Sequence, residues 1–393
     1  MQATLPETDA ATNRATWRRV VFAIFVLTGT AIVLAAWLDS ARKSQYLAWD
    51  FAQFYIASKL PISLIYNHTA EVEFGQKHLA PLGVSIYPPF VRPSVFVPLL
   101  RPLAIFPYWT AFGIWAGVGL SAYFASVILL IHRFRLPILL IPAYAGFFPA
   151  IVGLVSGQDS CVVLLAIVGA WLLLERGRDR LAGAVIALCL YKYNLILLIP
   201  LLFIIKRRYK ALASFGIGAT ILTASSLALA SPREYLNLLI ALREITPGYA
   251  DVGLIGFSQA VRQPWCYPVL AVIAFAVCCW LMRRLPLPEA FCIAIVGMLL
   301  ISPHITWYDS TLLALPIGVV FARSGTAMRV VCLAILVTQP LWLHGGGNNG
   351  QAGFTHAAVE SFILGYFVWY AVRRNRTGQA SEHELRVARI DTC

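Results

Sequence analysis

Apolar residues in this chain come in long runs, and the polar residues are confined to short segments between them. From Val20 to Tyr370 the runs recur at about 18 or more residues, the length a helix needs to cross a bilayer. Backbone groups in hydrocarbon must be satisfied within their own segment, so the runs predict helices. The residue-by-residue alternation of an outer-membrane barrel is missing.

The pattern predicts an all-α polytopic membrane protein with about 12 membrane segments, one pair of them short. Val20–Leu38 follows Arg14, Arg18 and Arg19 and lacks a small-residue cleavage site, so it reads as a retained first helix. Residues 39–92 form a long, aromatic first external loop with short helices. Ser94–Phe106 is apolar but carries Pro98 and Pro102 and is followed by Pro107, which points to an interfacial or re-entrant piece. Trp109–Ile131, Pro137–Val155 and Cys161–Leu174 cross in turn. Leu181–Ile205 has basic residues at both ends. One span would separate the two clusters, whereas a pair of short helices breaking near Tyr191–Asn194 keeps them on one side. Each arm of about eleven residues reaches only about 16 Å, so its tip lies within the membrane. Ala211–Ala230 leads to a second external loop, 231–264, with an amphipathic helix near Glu234–Ile245. Pro268–Met282, Ala290–Ile301, Thr311–Phe321, Val330–Leu343 and Phe354–Val372 complete the set, with a Gly345–Gly350 loop before the last. The domains are therefore a cytoplasmic N-terminal segment (1–19), a membrane domain (20–372) and a cytoplasmic tail (373–393), polar after Arg376.

Composition agrees. Hydrophobic residues make up 59% of the 393 and charged residues 12%, against roughly 25% charged in a soluble domain. The formal charge of +13 does not call for nucleic acid. Its lysines and arginines cluster in short segments between the apolar runs, most of them on one side, as the positive-inside rule expects. The expected location is the cell (inner) membrane, multi-pass, with both termini cytoplasmic. The eight cysteines fall mostly in apolar runs, where cysteine behaves as a small hydrophobe. No zinc spacing occurs, so no metal site and no cofactor is expected, with a divalent ion left open.

The first external loop contains Trp49-Asp50-Phe51-Ala52-Gln53-Phe54-Tyr55. A carboxylate among aromatic rings is partly desolvated and can act as a general base if it reaches an acceptor hydroxyl. Asp50 can equally be a helix cap or a structural ion pair. Lys192 lies in an apolar segment, where an ammonium is costly unless it is paired or useful.

Five motifs stand in order: Asp50-Phe-x-x-Phe-Tyr-x-Ala, Tyr87-Pro-Pro-Phe, Ser156-Gly-Gln158, the membrane Lys192, and Ser302-Pro-His304-x-x-Trp307. Together they resemble glycosyltransferase family 87, the polyprenyl-phosphate-mannose-dependent mannosyltransferases, from about residue 45 to 315. The resemblance implies a GT-C-type helical bundle with its active site on the external or periplasmic face. It implies an inverting mechanism and no nucleotide sugar, in keeping with the lack of a DxD pair. It makes Asp50 the general base. Lys192, His304, Gln158, Tyr87 and Trp307 would bind donor phosphate or substrate, and Arg92, with Arg101 beside it, could contact a phosphate. The implied partners are a polyprenyl-phosphate sugar donor, a glycolipid or glycan acceptor, and membrane lipid. Tyr193 stands where the family has proline, and Tyr308 and Asp309 stand where histidines are usual. The competing reading is a polytopic transporter or lipid flippase, which a discontinuous helix at Lys192 would also suit.

Overall fold

The computed structural model describes residues 47–245, 253–343 and 356–374, with Leu27, Thr28, Ala31 and Ala35 as isolated helical positions. The rest of the expected first helix Val20–Leu38, the Gly345–Gly350 loop and the tail after Arg376 lie outside the described residues. Every regular element among the described residues is helical.

The aromatic first loop folds into α1 (Trp49–Lys59) and α2 (His68–His78), followed by a run of short helices, Ser94–Ile105, that Pro98 and Pro102 keep from becoming one long helix. Pro107 precedes α3 (Tyr108–Phe134), and Arg135, in a left-handed conformation, ends it. The expected span Pro137–Val155 is instead two short helices, α4 (Leu140–Ala145) and α5 (Phe148–Ser156). They part at Gly146–Phe147, because Phe147 is extended and Pro149 opens the next helix. Then come α6 (Ser160–Glu175), α7 (Asp179–Leu188), a 3₁₀ stretch Cys189–Leu195, α8 (Leu198–Ile205), α9 (Tyr209–Leu229) and the amphipathic α10 (Pro232–Ile245). The chain continues through α11 (Gly253–Ala260), α12 (Cys266–Arg284), α13 (Leu287–Ile301), a 3₁₀ stretch Trp307–Leu313, α14 (Ala314–Arg323), α15 (Thr326–Leu343) and a last helix over 356–374, α16.

Among the described residues three helices, α3, α9 and α12, are long and apolar enough to cross a membrane; Ser94–Ile105, α6, α13 and part of α15 are shorter apolar helices. Their apolar residues divide by position. Ile217 and Ile221 on α9 and Val272 and Ile273 on α12 face outward, as a lipid-facing surface requires. Helix α13 is apolar all round after Glu289 in its first turn and is buried from Pro288 to Leu300, the mark of a central helix. Trp171, Phe203 and Phe291 pack in the same core.

The segment Leu181–Ile205 is broken at Lys192, which has φ −128° and ψ 57°. Helices α7 and α9 run side by side in one direction. A Cβ on Gly183 would strike the Ala211 carbonyl, and one on Gly218 would lie 2.6 Å from the Ala187 Cβ. The ion pair Arg208–Asp179 (3.4 Å) brings the end of the α8 arm back beside the start of α7. Both basic clusters therefore lie on one face. Other contacts gather helix ends on that face: Arg133–Glu175 (2.7 Å) joins α3 and α6, Arg323–Glu289 (3.1 Å) joins α14 and α13, and Lys206 donates to the Leu285 carbonyl.

Gly183→Val should destabilise the chain by about 1–3 kcal/mol through overpacking against α9. Gly113→Ala, which adds a Cβ in open space, should leave stability unchanged. Thermal unfolding in detergent compares them, and equal midpoints would remove the close α7–α9 approach.

Candidate active site

At the end of the bundle opposite the basic face, α1 docks on the turn that follows α5. Gly157 takes φ +87°, and a Cβ there would collide with the Phe51 side chain. Only glycine permits both the backbone angle and the contact. The Ala48 amide donates to Val155 O at 2.8 Å, Trp115 Nε1 to Gly157 O at 2.8 Å, and Tyr108 Oη to Ala48 O at 2.6 Å. Phe51 lies 5.5 Å from Tyr108, and Phe54 lies 5.2 Å from Trp115, centroid to centroid. This aromatic packing sets Asp50 against Gln158 and Ser156.

Asp50 is only 3% exposed, and its Oδ2 has no hydrogen-bond partner. Burial pushes its carboxyl up to about 7. The Gln158 hydrogen bond, the charges of Lys192 and Arg92, and the Ser156 hydrogen bond pull it down without cancelling that effect.

Lys192 is the hub of the polar cluster. Its Nζ lies 2.7 Å from Asp309 Oδ1, 3.0 Å from Asp159 Oδ1, 2.7 Å from Ser160 Oγ and 3.4 Å from Gln158 Oε1. It also sits 5.3 Å above the Tyr308 ring. Arg92 Nη2 reaches Asp159 Oδ1 at 3.1 Å and Gln158 Oε1 at 3.3 Å, while its buried Nε has no partner. Its guanidinium stands between the Phe54 and Tyr191 rings, 5.8 and 5.9 Å away. A capping box opens the Trp307–Leu313 stretch: Asp309 Oδ2 accepts from the Thr306 amide (3.2 Å) and hydroxyl (3.1 Å). Burial alone would push Asp309 up, but the Lys192 charge and hydrogen bond, the Thr306 amide and Ser160 together hold it below its ordinary value. Two cations and two carboxylates thus balance, and Asp50 is the fifth group.

An apolar groove of about 550 Å³ leads into the cluster. Phe96, Leu99, Val118, Leu188, Tyr191 and Leu222 are among its walls, and Asp159 is its charged lining residue. Leu99, Val118 and Leu188 are exposed.

The sequence profile of glycosyltransferase family 87 matches residues 86–303. The chain belongs to glycosyltransferase family 87. No curated protein and no solved structure matches it. Membership in family 87 makes the chain a membrane glycosyltransferase. The matched region carries Arg92, Gln158, Asp159 and Lys192; Asp50 precedes it, and His304 and Asp309 follow it.

Asp50, Gln158, Lys192 and Arg92 meet as one site. Tyr87 stands apart from their bonds: its ring covers Gly75 on α2 and its hydroxyl donates to Val84 O at 2.7 Å. The exposed His304 is tied to the site through its backbone, because Asn194 Nδ2 donates to its carbonyl at 3.1 Å beside the Lys192 break. Trp307 is half-buried against the main core at the start of the stretch that carries Asp309. Arg101 is engaged by backbone at the end of α1. Its guanidinium donates to Ser58 O and Leu60 O at 2.8 and 2.7 Å, satisfying carbonyls at the end of α1. Sequence reasoning missed Asp159, Ser160 and Asp309. A signal was present, since a carboxylate at the mouth of an apolar helix needs a cationic partner, and Thr306-x-x-Asp309 is a capping-box spacing. Among the described residues no group of three His, Cys, Asp or Glu is placed to hold a metal ion, and Asp159 and Asp309 share one oxygen each with Lys192.

Lys192→Met should lower the unfolding temperature sharply, since losing one member of a buried ion cluster costs about 3–5 kcal/mol. Adding Asp309→Asn should restore part of the loss. If the double variant unfolds no higher than the single, the two charges are not coupled.

Proposed function

We propose that the chain moves a sugar, with mannose the first candidate, from a polyprenyl-phosphate donor to a lipid or glycan acceptor with inversion, and that Asp50 is the general base. The unpartnered Asp50 Oδ2, on a carboxyl poised near neutrality, carries the reading, because a base works best with a pKa near the operating pH. In the proposed step the acceptor hydroxyl oxygen attacks the sugar C1 as Asp50 takes its proton. The bond from C1 to the phosphate oxygen breaks, and the polyprenyl phosphate leaves with the electron pair. Developing negative charge on the leaving phosphate is stabilised by fixed cations in a low-dielectric site. Arg92, with its unpartnered Nε, has a donor left for that phosphate. Lys192 has its ammonium engaged by four oxygens and holds the cluster together. The apolar groove ending at Asp159, beside Arg92, suits a polyprenyl tail.

The bundle would be of GT-C type, with about 12 membrane segments. The basic helix ends lie opposite the Asp50 site, and by the positive-inside rule this supports a site on the external face. His304 and Gln158 are proposed to contact substrate, and Tyr87 and Trp307 to shape the pocket from further out. The broken segment at Lys192 also suits a lipid flippase, and sugar transfer by purified protein distinguishes the two.

Detergent-purified protein, given polyprenyl-phosphate mannose and a lipid extract, should yield a new glycolipid by mass spectrometry. Asp50→Asn should lose about 10²–10⁴-fold in turnover with near-unchanged thermal unfolding. Only the ionised carboxylate accepts a proton, so the wild-type rate should fall as pH drops through about 7. An Asn variant with wild-type turnover would leave Asp50 a structural group. Single cysteines at positions 50 and 210 should label from opposite sides of the membrane; labelling of both from one side would overturn the orientation.

A further inference from the structure

We propose that the basic end of the bundle holds a built site for the phosphate headgroup of an anionic phospholipid, between the ends of α3, α6 and α14. A cavity of about 880 Å³ lies there. Its polar wall has Arg133, Arg135, Arg176 and Arg323, and its apolar wall includes Ile128 and Leu172. Two of the arginines are committed. Arg133 makes a two-point contact with Glu175, Nε to Oε2 at 2.7 Å and Nη2 to Oε1 at 3.0 Å, and Arg323 Nε lies 3.1 Å from Glu289 Oε1. Arg135 and Arg176 are exposed and have no carboxylate partner among the described residues. The four arginines therefore face two carboxylates, and the cavity keeps a positive excess of two.

The excess is placed where a lipid needs it. Ile128 lies a turn or two before the end of α3 and is 53% exposed, so the apolar wall continues the outward surface of a helix apolar enough to cross the membrane. Arg135 is held at the end of α3 in the left-handed conformation, φ 51°, which turns the chain there and sets its charge just beyond the apolar surface. Arg176 follows the last residue of α6 with φ −87° and ψ 7°, one turn after Leu172, and sets a second charge at the cavity's rim. Acyl chains against Ile128 and a phosphate between Arg135 and Arg176 use both walls at once. Basic pockets between membrane helices recognise anionic headgroups in this way. Diffuse positive charge on a membrane protein's inner face needs no cavity and no apolar wall, and this site has both.

The test uses the full chain in detergent. Thermal unfolding is followed with added phosphatidylglycerol, with phosphatidylcholine and, separately, with inorganic phosphate. Phosphatidylglycerol should raise the midpoint by several degrees more than phosphatidylcholine. The variant Arg135→Asn/Arg176→Gln should lose at least half of that difference; asparagine tolerates the left-handed conformation at 135. The control Arg180→Gln/Lys210→Gln removes the same charge from exposed positions outside the cavity and should keep it. Equal stabilisation by both lipids, equal loss in both double variants, or full stabilisation by inorganic phosphate alone would each overturn the proposal.

Discussion

The structure turns on one buried ammonium. Lys192 sits at a break in an apolar segment, where an unpaired charge would be prohibitively desolvated. It is held by Asp159 from the start of α6 and by Asp309 from the Trp307–Leu313 stretch. Three parts of the chain, Asp159 33 positions before Lys192 and Asp309 117 after it, are thereby fixed at one point. The same pairing explains why the 181–205 segment does not run on as one helix. The backbone must leave helical geometry at Lys192 to bring its side chain between those two carboxylates.

Once Lys192, Arg92, Asp159 and Asp309 have neutralised one another, Asp50 is the group left over. Its carboxyl is enclosed by aromatic packing and held against Gln158 by the Gly157 turn. Burial strips water from its charged form, and that is the physical origin of its raised pKa; the charges of Lys192 and Arg92, already paired elsewhere, offset it only in part. A carboxyl of this kind is expensive for a purely structural role. It is well suited to accepting a proton from a substrate hydroxyl near neutral pH.

The two ends of the bundle are built differently. At the site end, ionisable groups are buried and interlocked. At the opposite end, ion pairs tie helix termini together with one partner commonly exposed, as Arg133–Glu175 and Arg323–Glu289 show. The short arms α7 and α8 link the ends: they begin and return at the basic face and place Lys192 at their tip. The cavity of uncompensated arginines belongs to this second, looser kind of chemistry.

The sequence alone determined the all-helical class, the broken segment near Tyr191–Asn194, the amphipathic helix near Glu234–Ile245 and the family. These are written in local patterns: run length, flanking charge and short motifs. It also marked Asp50, Gln158, Lys192 and Arg92 as residues worth relating. It did not show that Pro137–Val155 is two helices, because the interruption depends on the backbone at Gly146–Phe147 as well as on apolarity. It named Arg101 as a residue that could contact a phosphate, and did not show that its guanidinium donates to carbonyls at the end of α1. Above all it could not pair Lys192 with Asp309, 117 positions away, and read Asp309 only as a departure from the family pattern. Which charges meet in a buried site is decided by how distant segments pack. Only the tertiary structure shows that the two cations of this site are already paired with Asp159 and Asp309, and that Asp50 has no ion-pair partner among the described residues around it.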